Sequence, residues 1–523
     1  MKNKNKSGAF FVGLGILLSR IFGLVRERVF AHYFGNSDAG DAFKAALKIP
    51  NFLQNLFGEG ALSASFIPVY SQLVEKDKTQ ADQLAKTIFA FLALAVSVLV
   101  LLGVLFTASL IDLIAPGFSG EKKELTIELV RIFFPGIGLL VLSAWCLGIL
   151  NSHRKFFIPY AAPVIWNVAI IGSLLWGGRF QSQSDLAVTA AWGLVLGSFL
   201  QFFIQLPTTL KLVPLLRTNL QHKATSVKTV IKNFGPAVVS RGIVQISAYI
   251  DNVLASWLPT GAVSALAYAQ TIYLLPIGLF GMSISASELP ELSRTQVTSS
   301  DNQEDANRKL QERLESGLEK VSFYIIPTVV AFFVFGDLIV KTLFKTGQFD
   351  EEASQLVWKV LMGSTVGLLA TTLGRLYSSS FYALQDTRTP LKFSLIRILS
   401  TTLLGVLFAF YLPKALNISP LWGTAGLTSS AGISGWIEYM MLKQALQKKI
   451  GLKIRERHIQ KLWISAIFAG ICVFLIKKIL VLGAVSILLA LHAGVFGILY
   501  MLIASFFHIP SAEVFMKKIK QHL

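Results

Sequence analysis

The chain has 523 residues, of which 53% are hydrophobic and only 15% are charged, and its mean hydropathy is +0.60. A soluble domain keeps about a quarter of its residues charged, so this composition excludes a protein whose whole surface faces water. The formal net charge is +19, but the basic residues fall in short polar gaps between apolar stretches, as in membrane proteins. This distribution argues against nucleic acid as a partner. The two cysteines, Cys146 and Cys472, lie in apolar stretches and fit no disulfide framework or metal-binding spacing.

A membrane-spanning helix needs about 20 mostly apolar residues, and the chain contains a series of such stretches. We predict fourteen spans, at about residues 8–33, 38–73, 84–114, 124–150, 157–178, 186–208, 226–257, 262–291, 319–345, 353–384, 389–412, 419–446, 460–481 and 483–508. The first stretch has no small-residue cleavage site after it and is interrupted by arginines, which predicts a retained helix and not a signal peptide. The longest polar gap, from Ser293 to Lys320, predicts an amphipathic connecting helix outside the bilayer.

Alternate gaps between these spans differ in charge. One set is rich in lysine and arginine and includes the N-terminus, the run 443–461 and the C-terminal tail. The other set is short and nearly neutral, as in FGNSDAGD and LPTG. Positive loops stay in the cytoplasm, so we expect both termini there, and fourteen spans give the even number that this requires.

An internal repeat relates the two halves of the chain. LFGEGALSASFIP (56–68) recurs as LFGMSISASELP (279–290), and Ser19-Arg20 recurs as Ser240-Arg241. A repeat of six spans keeps its orientation in the membrane, which predicts two lobes related by a pseudo-two-fold axis along the membrane normal. The predicted fold is therefore an all-α polytopic membrane protein with two six-helix lobes and two additional C-terminal helices. The corresponding domains are residues 1–222, 223–450 and 451–523, the last ending in a basic tail.

The first span carries ionisable side chains that are costly in a bilayer, by about 2.5–3.5 kcal/mol each. Arg20 and Arg26 lie about 600° apart around a straight helix, but glycines in this span permit a bend that would turn both towards one cavity. Guanidinium groups suit phosphate oxygens, so such a cavity would bind a pyrophosphate. The alternative is that Arg26 and Arg28 extend to an interface or pair with Glu27 and Asp41.

The second span adds Asp41, Lys44, Lys48 and Glu59. The two lysines are four residues apart and share a helical face with Asp41. Glu59 lies between two glycines, where a helix can unwind or pack closely. For Glu59, a structural ion pair with an arginine of the first span and a role in substrate binding remain equally open.

In the second half, Arg241 is the repeat counterpart of Arg20, so one cation from each lobe would face a central cleft. Asp251 is a candidate for coupling to Na⁺ or H⁺, with an ion pair to Arg241 as the alternative. Asp386 precedes Pro390 and is expected in a turn that caps a helix. The chain has no Walker loop or dinucleotide fingerprint, so we expect a transporter driven by an ion gradient or the membrane potential, and not an enzyme.

Residues 18–70, LSRIFGLVRERVFAHYFGNSDAGDAFKAALKIPNFLQNLFGEGALSASFIPVY, resemble the N-terminal signature of the MurJ (MviN) family. LNSHRKFFIPYAAPVIWN and FYALQDTRTP match further blocks, and the resemblance extends over essentially the whole chain. The family comprises lipid II flippases of the multidrug/oligosaccharidyl-lipid/polysaccharide (MOP) exporter superfamily. The resemblance implies a fourteen-helix fold in which the last two helices form a groove for the undecaprenyl tail, and a cationic cavity for the head group.

The resemblance also implies functional residues. The first-helix arginines of the family fall on Arg20 and Arg26, its acidic residue after the first loop on Asp41, and its Glu-Gly glutamate on Glu59. We add Lys48 to this predicted substrate-binding set.

The chain departs from the family at Gln54 and Thr271, positions where the family often has an arginine. We hypothesise that Arg241 supplies the missing cation. Some family members carry a Na⁺ site, and the resemblance places its ligands on Asp251, Asp386 and Thr402. No other cofactor is expected.

The predicted mechanism is alternating access of the two lobes. In this mechanism, a monomer carries lipid II across the membrane for peptidoglycan synthesis. One rival is an exporter of drugs or of another polyprenyl-linked glycan with the same fold. A drug exporter would need an apolar or acidic pocket, whereas this chain gathers arginines. The other rival is a non-transporting membrane scaffold or a glycan polymerase. A scaffold has no need of buried charges at repeat-related positions. A polymerase would need acidic catalytic residues in an outer loop, and the outer gaps of this chain are too short for such a site.

Overall fold

The computed structural model describes residues 2–179, 181–214, 225–282, 303–456, 458–479 and 484–522. Within these ranges the regular secondary structure is helical, apart from an isolated β-bridge between Thr346 and Phe349. The predicted all-α fold is confirmed.

The helices follow one another with short connections. Those of the N-terminal half are α1 (Lys2–Phe34), α2 (Asp38–Ala46), α3 (Lys48–Leu53), α4 (Ser63–Lys76), α5 (Lys78–Leu105), α6 (Thr107–Ile114), α7 (Gly120–Ser152), α8 (Phe157–Gly177), α9 (Gln183–Leu212) and α10 (Thr225–Ser256). Those of the C-terminal half are α11 (Ala262–Pro276), α12 (Gln303–Phe344), α13 (Glu351–Thr365), α14 (Leu368–Ala383), α15 (Arg388–Val406), α16 (Leu412–Ala415), α17 (Trp422–Ile450), α18 (Ile459–Ile479), α19 (Val485–Phe506) and α20 (Pro510–His522). Each of the fourteen predicted spans lies mostly on helical backbone where its residues are described, but the helix is interrupted within the span at Leu47, at Phe106 and at residues 366–367.

Many of these helices are suited to a bilayer. In the described part of the chain, nine are long and apolar enough to cross a membrane, and the bent pair α13 and α14, with an angle of 40°, would make a tenth. The chain is therefore a polytopic helical membrane protein.

The second predicted span is not one regular helix. Between α3 and α4, residues Gln54–Leu62 form a π-helix, a wider and less common geometry that often marks functional sites. Its repeat counterpart shows the same irregularity, because Ile277–Met282 is also π-helical. The sequence repeat LFGEG/LFGMS is therefore accompanied by a repeat of unusual backbone geometry.

The predicted connecting helix is not a separate element. Gln303–Phe344 is one long helix that includes the polar segment and the ninth span, with a local break at Phe335 (φ −134°). Because the mixed-charge stretch after Gln303 is rich in strong helix formers and has no proline before the span, the helix continues without a turn. Residues 293–302 lie outside the described ranges.

The first compact unit comprises Met1–Ser264 with Thr346–Phe349. Its centre is formed by α7, α8 and α9, with α1 packed on α8. Helix α10 lies against α4 and the adjacent π-helix, and so belongs to this unit. The predicted boundary at residue 222 follows the sequence repeat and not these contacts, and it stays a prediction.

The second compact unit comprises Ala265–Lys345 and Asp350–Leu523. Helix α17 packs on α13, α14 and α15, while α18 and α19 pack on α12. Gly367 and Gly432 allow one close approach, because a Cβ added at Gly367 would lie 2.4 Å from the Cα of Gly432. The hydroxyl of Tyr500 on α19 donates to the carbonyl of Phe323 at 2.7 Å, which fixes α19 to the long helix.

Candidate functional site

A buried charge cluster joins α1 to α2 in the first unit. Glu27 is only 6% exposed and accepts hydrogen bonds from Lys44 and from Nη2 of Arg26, the latter at 2.7 Å. A buried carboxylate requires such partners, because an unpaired charge would cost several kcal/mol. Two cations, Arg26 and Lys44, therefore meet on this one carboxylate.

Arg26 is held on a second side by an aromatic ring. Its guanidinium carbon lies 4.9 Å from the ring centre of Trp166 on α8, a cation–π contact. The side chain stays 20% accessible. The pairing with Glu27, considered as an alternative from the sequence, is present, yet the Arg26 side chain stays partly accessible to a ligand.

Arg20 has a different environment. It is exposed and forms no ion pair or hydrogen bond with the described residues of the chain. Helix α1 is uninterrupted from Lys2 to Phe34, and the orientation of Arg20 and Arg26 towards one cavity stays a prediction. The glycine at position 15 instead serves close packing, since a Cβ there would lie 2.8 Å from the Cβ of Tyr160.

Two opposite charges on α3 and α10 lie near each other. Asp251 interacts electrostatically with the ammonium group of Lys48. The segments are held together nearby, because the hydroxyl of Tyr249 donates to the carbonyl of Lys48 and the ring centres of Tyr249 and Phe52 are 5.1 Å apart. The structure therefore brings together two residues that the sequence had assigned to separate roles.

Asp41 is fully buried near the beginning of α2. Its carboxylate accepts hydrogen bonds from the backbone N–H of Ser264 at 2.7 Å, the N–H of Gly261 at 2.8 Å and Nζ of Lys122 at 2.8 Å. Lys122 also reaches Asp38 at 2.9 Å. This geometry favours a structural role for Asp41, and Lys122 was missed because it is distant in sequence.

Two predicted site residues cannot be placed in the same way. Glu59 lies in the π-helix and Arg241 in α10, but their side chains lie outside the described part of the structure. Their assignment to substrate binding stays a prediction. Thr271 is one of the two positions where the family often has an arginine and this chain does not. Its hydroxyl donates to the carbonyl of Ala267 in the same helix at 3.0 Å.

Asp386 and Thr402 do not form one ion site. Asp386 lies in the turn before α15, accepts from the N–H of Thr389 at 3.0 Å and pairs with Lys449 at 2.6 Å. Thr402 donates within α15 to the carbonyl of Ile398 at 2.9 Å. The two residues are separated by about 24 Å of helical rise. The turn and cap expected from the sequence are confirmed for Asp386.

The pairing of Asp386 predicts a pH effect. Hydrogen bonds from Lys449 and from the N–H of Thr389 lower the pKa of Asp386 to about 2, below its usual value. A depressed folded-state pKa contributes stability above about pH 4 that is lost as the pH falls towards 2. We therefore expect Asp386→Asn to melt at a lower temperature than the wild type at pH 6, and the difference to shrink to a small fraction of this at pH 2. An equal difference at both pH values would contradict this assignment; Glu75→Gln, at an exposed carboxylate, is the control.

The second unit also contains a charged pair that sequence reasoning did not predict. Glu438 had no assigned partner, but it pairs with Arg397 at 3.2 Å and accepts from Ser394 at 2.7 Å. Arg375 on α14 lies near Arg397 and Tyr273. The sequence did contain a signal for these interactions, because Arg375 and Arg397 both lie within apolar stretches.

The fold and these charged clusters define a class: a polytopic helical membrane protein of two units that keeps cations within its spans, as transporters of anionic substrates do. A model of the lipid II flippase MurJ family matches residues 30–502. The lipid II flippase MurJ of Burkholderia cenocepacia is 32% identical over 442 residues, which cover 83% of this chain and 82% of that protein. The chain belongs to the lipid II flippase MurJ family, whose members are transporters and not enzymes.

Solved structures agree with this membership. A lipid II flippase MurJ in an inward closed conformation matches with a TM-score of 0.78 and 26% identity, covering 95% of this chain and 99% of that chain. An inward-facing multidrug resistance MATE family transporter of the MOP superfamily matches with a TM-score of 0.66 and 16% identity, over 83% and 94% of the two chains. The latter likeness concerns the fold alone. The chain is thus a multi-pass protein of the bacterial inner membrane.

Proposed function

We propose that this protein moves lipid II from the inner to the outer leaflet of the cytoplasmic membrane by alternating access. Family membership supports this substrate, and the observation that carries the proposal is the cluster of two cations, Arg26 and Lys44, on Glu27 inside apolar helices. Lipid II is an undecaprenyl diphosphate, and its anionic groups need such partners to leave water.

Arg26 is suited to contact the diphosphate. Glu27 and Trp166 fix its guanidinium group, so little side-chain entropy is lost when a phosphate binds. A ligand can shift a conformational equilibrium only by its different affinity for the two states. Neutralisation of these cations by the substrate is the proposed source of that difference. Arg20, exposed on α1, would contribute at a separate position, because a guanidinium within a span requires a wet or anionic environment.

Coupling to Na⁺, H⁺ or the membrane potential is proposed to act through Asp251. Its carboxylate interacts with Lys48, so a cation that binds to Asp251 would release the ammonium group. The released charge would then be available to the anionic substrate. No other cofactor is needed for this cycle.

Both termini are proposed to lie in the cytoplasm. The basic N-terminus, the run 443–461 and the basic tail all fall on one side if the chain has an even number of spans. The cycle requires one copy of the chain, since both units are in the same polypeptide.

Depletion of the protein in its host tests the proposed function. We expect lipid II to accumulate on the inner leaflet, measured by its loss of reaction with a membrane-impermeant probe added outside the cytoplasmic membrane. Re-expression of the wild type should restore the reaction. If lipid II stays fully accessible from outside after depletion, the flippase assignment is rejected.

A further inference from the structure

The second unit contains a helix with one accessible polar stripe. Thr371, Arg375, Ser378 and Tyr382 of α14 are spaced by three or four residues and are partly or fully accessible, whereas the other residues from Leu368 to Tyr382 are buried. This spacing places the four side chains on one helical face. The accessible face of a mostly buried helix is therefore polar and carries a guanidinium group.

The neighbouring helix shows what a lipid-facing surface of this unit looks like. Along α15 and the residue after it, the exposed row is leucine at every fourth position: Leu391, Leu395, Leu399, Leu403 and Leu407. Hydrocarbon accepts such a row, but an unpaired arginine in it would cost at least about 2.5 kcal/mol. We conclude that the polar stripe of α14 faces water and not lipid.

A second arginine lies beside this stripe. Arg397 follows Leu395 by two residues, which is about 200° around the helix, so it points away from the leucine row. Glu438 pairs with Arg397 at 3.2 Å and also accepts from Ser394 at 2.7 Å. Arg397 is thereby oriented and its charge compensated.

Arg375 has no such compensation. No ion pair joins it to a carboxylate within the described ranges, and its electrostatic neighbours are Arg397 and Tyr273. The hydroxyl of Tyr273 lies 3.2 Å from that of Thr371, so a neutral O–H donor borders the same stripe. Two guanidinium groups and a phenol with one compensating carboxylate leave a net positive, donor-rich surface, which is the chemistry that phosphate oxygens require.

We propose that Arg375, Arg397 and Tyr273 form a second phosphate-binding site, within the second unit, for the diphosphate of the lipid-linked substrate. The inference rests on the proposed function. Glu438 tunes the site, because it keeps the net charge low enough for the anion to be released.

Lipid II binding to the purified full-length protein in detergent tests the site. We expect Arg375→Gln to weaken binding about tenfold, the value of a charged hydrogen bond, and Arg375→Lys to weaken it less. Arg388→Gln, at the exposed first residue of α15, is the matched control and should bind as the wild type does. Equal melting temperatures exclude misfolding as the cause.

Two further measurements distinguish a substrate-binding site from a purely structural ion pair and from a site for free anions. Glu438→Gln should bind lipid II severalfold more tightly, an increase that a purely structural role of Glu438 would not give. Inorganic pyrophosphate is the probe for a free anion: if it binds at Arg375 while lipid II affinity is unchanged in Arg375→Gln, the site is not a substrate site and the inference is wrong. Failure of the wild type to bind lipid II would reject the proposed function, whereas equal binding by wild type and Arg375→Gln would reject this inference alone.

Discussion

Substitution of Arg26 by alanine is expected to lower the rate of lipid II transport by about ten- to a hundredfold. The guanidinium group is oriented by Glu27 and Trp166, and its loss removes charged hydrogen bonds to the diphosphate that a neutral side chain cannot replace. Glu27 keeps Lys44 as a partner, so the fold should survive. The measurement is the rate at which labelled lipid II becomes accessible across a proteoliposome membrane.

Matched variants isolate the role of Arg26. Arg26→Lys keeps the charge but loses the planar fork and the stacking on Trp166, so it should recover part of the rate. Arg179→Ala, in the exposed connection after α8, should have the rate of the wild type. Full activity of Arg26→Ala with unchanged melting temperature would mean that this arginine does not contact the substrate.

Asp251→Asn is expected to remove the dependence of transport on an ion gradient. The asparagine cannot bind Na⁺ or H⁺ as a carboxylate does, and it leaves the charge of Lys48 uncompensated throughout the cycle. The transport rate in proteoliposomes is measured with an imposed Na⁺ gradient, H⁺ gradient or membrane potential. The wild type should respond severalfold to one of them, and the variant to none.

Glu75→Gln is the control for this experiment, because Glu75 is an exposed carboxylate at the end of α4. It should respond to the gradient as the wild type does. A variant at Asp251 that retains the full response would show that the coupling ion binds elsewhere or that no ion is coupled.

Much of the fold was predictable from the sequence because the bilayer imposes it. Spans need long apolar stretches, and only helices satisfy their own backbone hydrogen bonds in lipid. Irregular backbone was harder to predict. The π-helix at Gln54–Leu62 and the two-part span of α13 and α14 depend on tertiary packing, and hydropathy does not distinguish them from regular helices.

The candidate site was predictable only in part. The sequence identified Arg26, Lys48 and Asp251 as ionisable residues within spans, but not the pairing of the last two, since about 200 residues separate them. The interaction of Asp41 with Lys122 was hidden for the same reason. The resemblance to family motifs also placed Asp386 and Thr402 in one ion site. In the structure, Asp386 lies in the turn before α15 and Thr402 lies far along that helix, so the two side chains cannot share an ion.

Reconstitution of the purified protein tests most directly whether this chain alone carries lipid II across a membrane. Labelled lipid II is incorporated into proteoliposomes, and the fraction that reacts with an impermeant external reagent is followed over time. With the wild type, we expect lipid II that began in the inner leaflet to become reactive, and far more slowly with Arg26→Ala. If the inner-leaflet pool stays protected in wild-type proteoliposomes as it does in protein-free liposomes, cationic side chains within the spans do not serve lipid II transport.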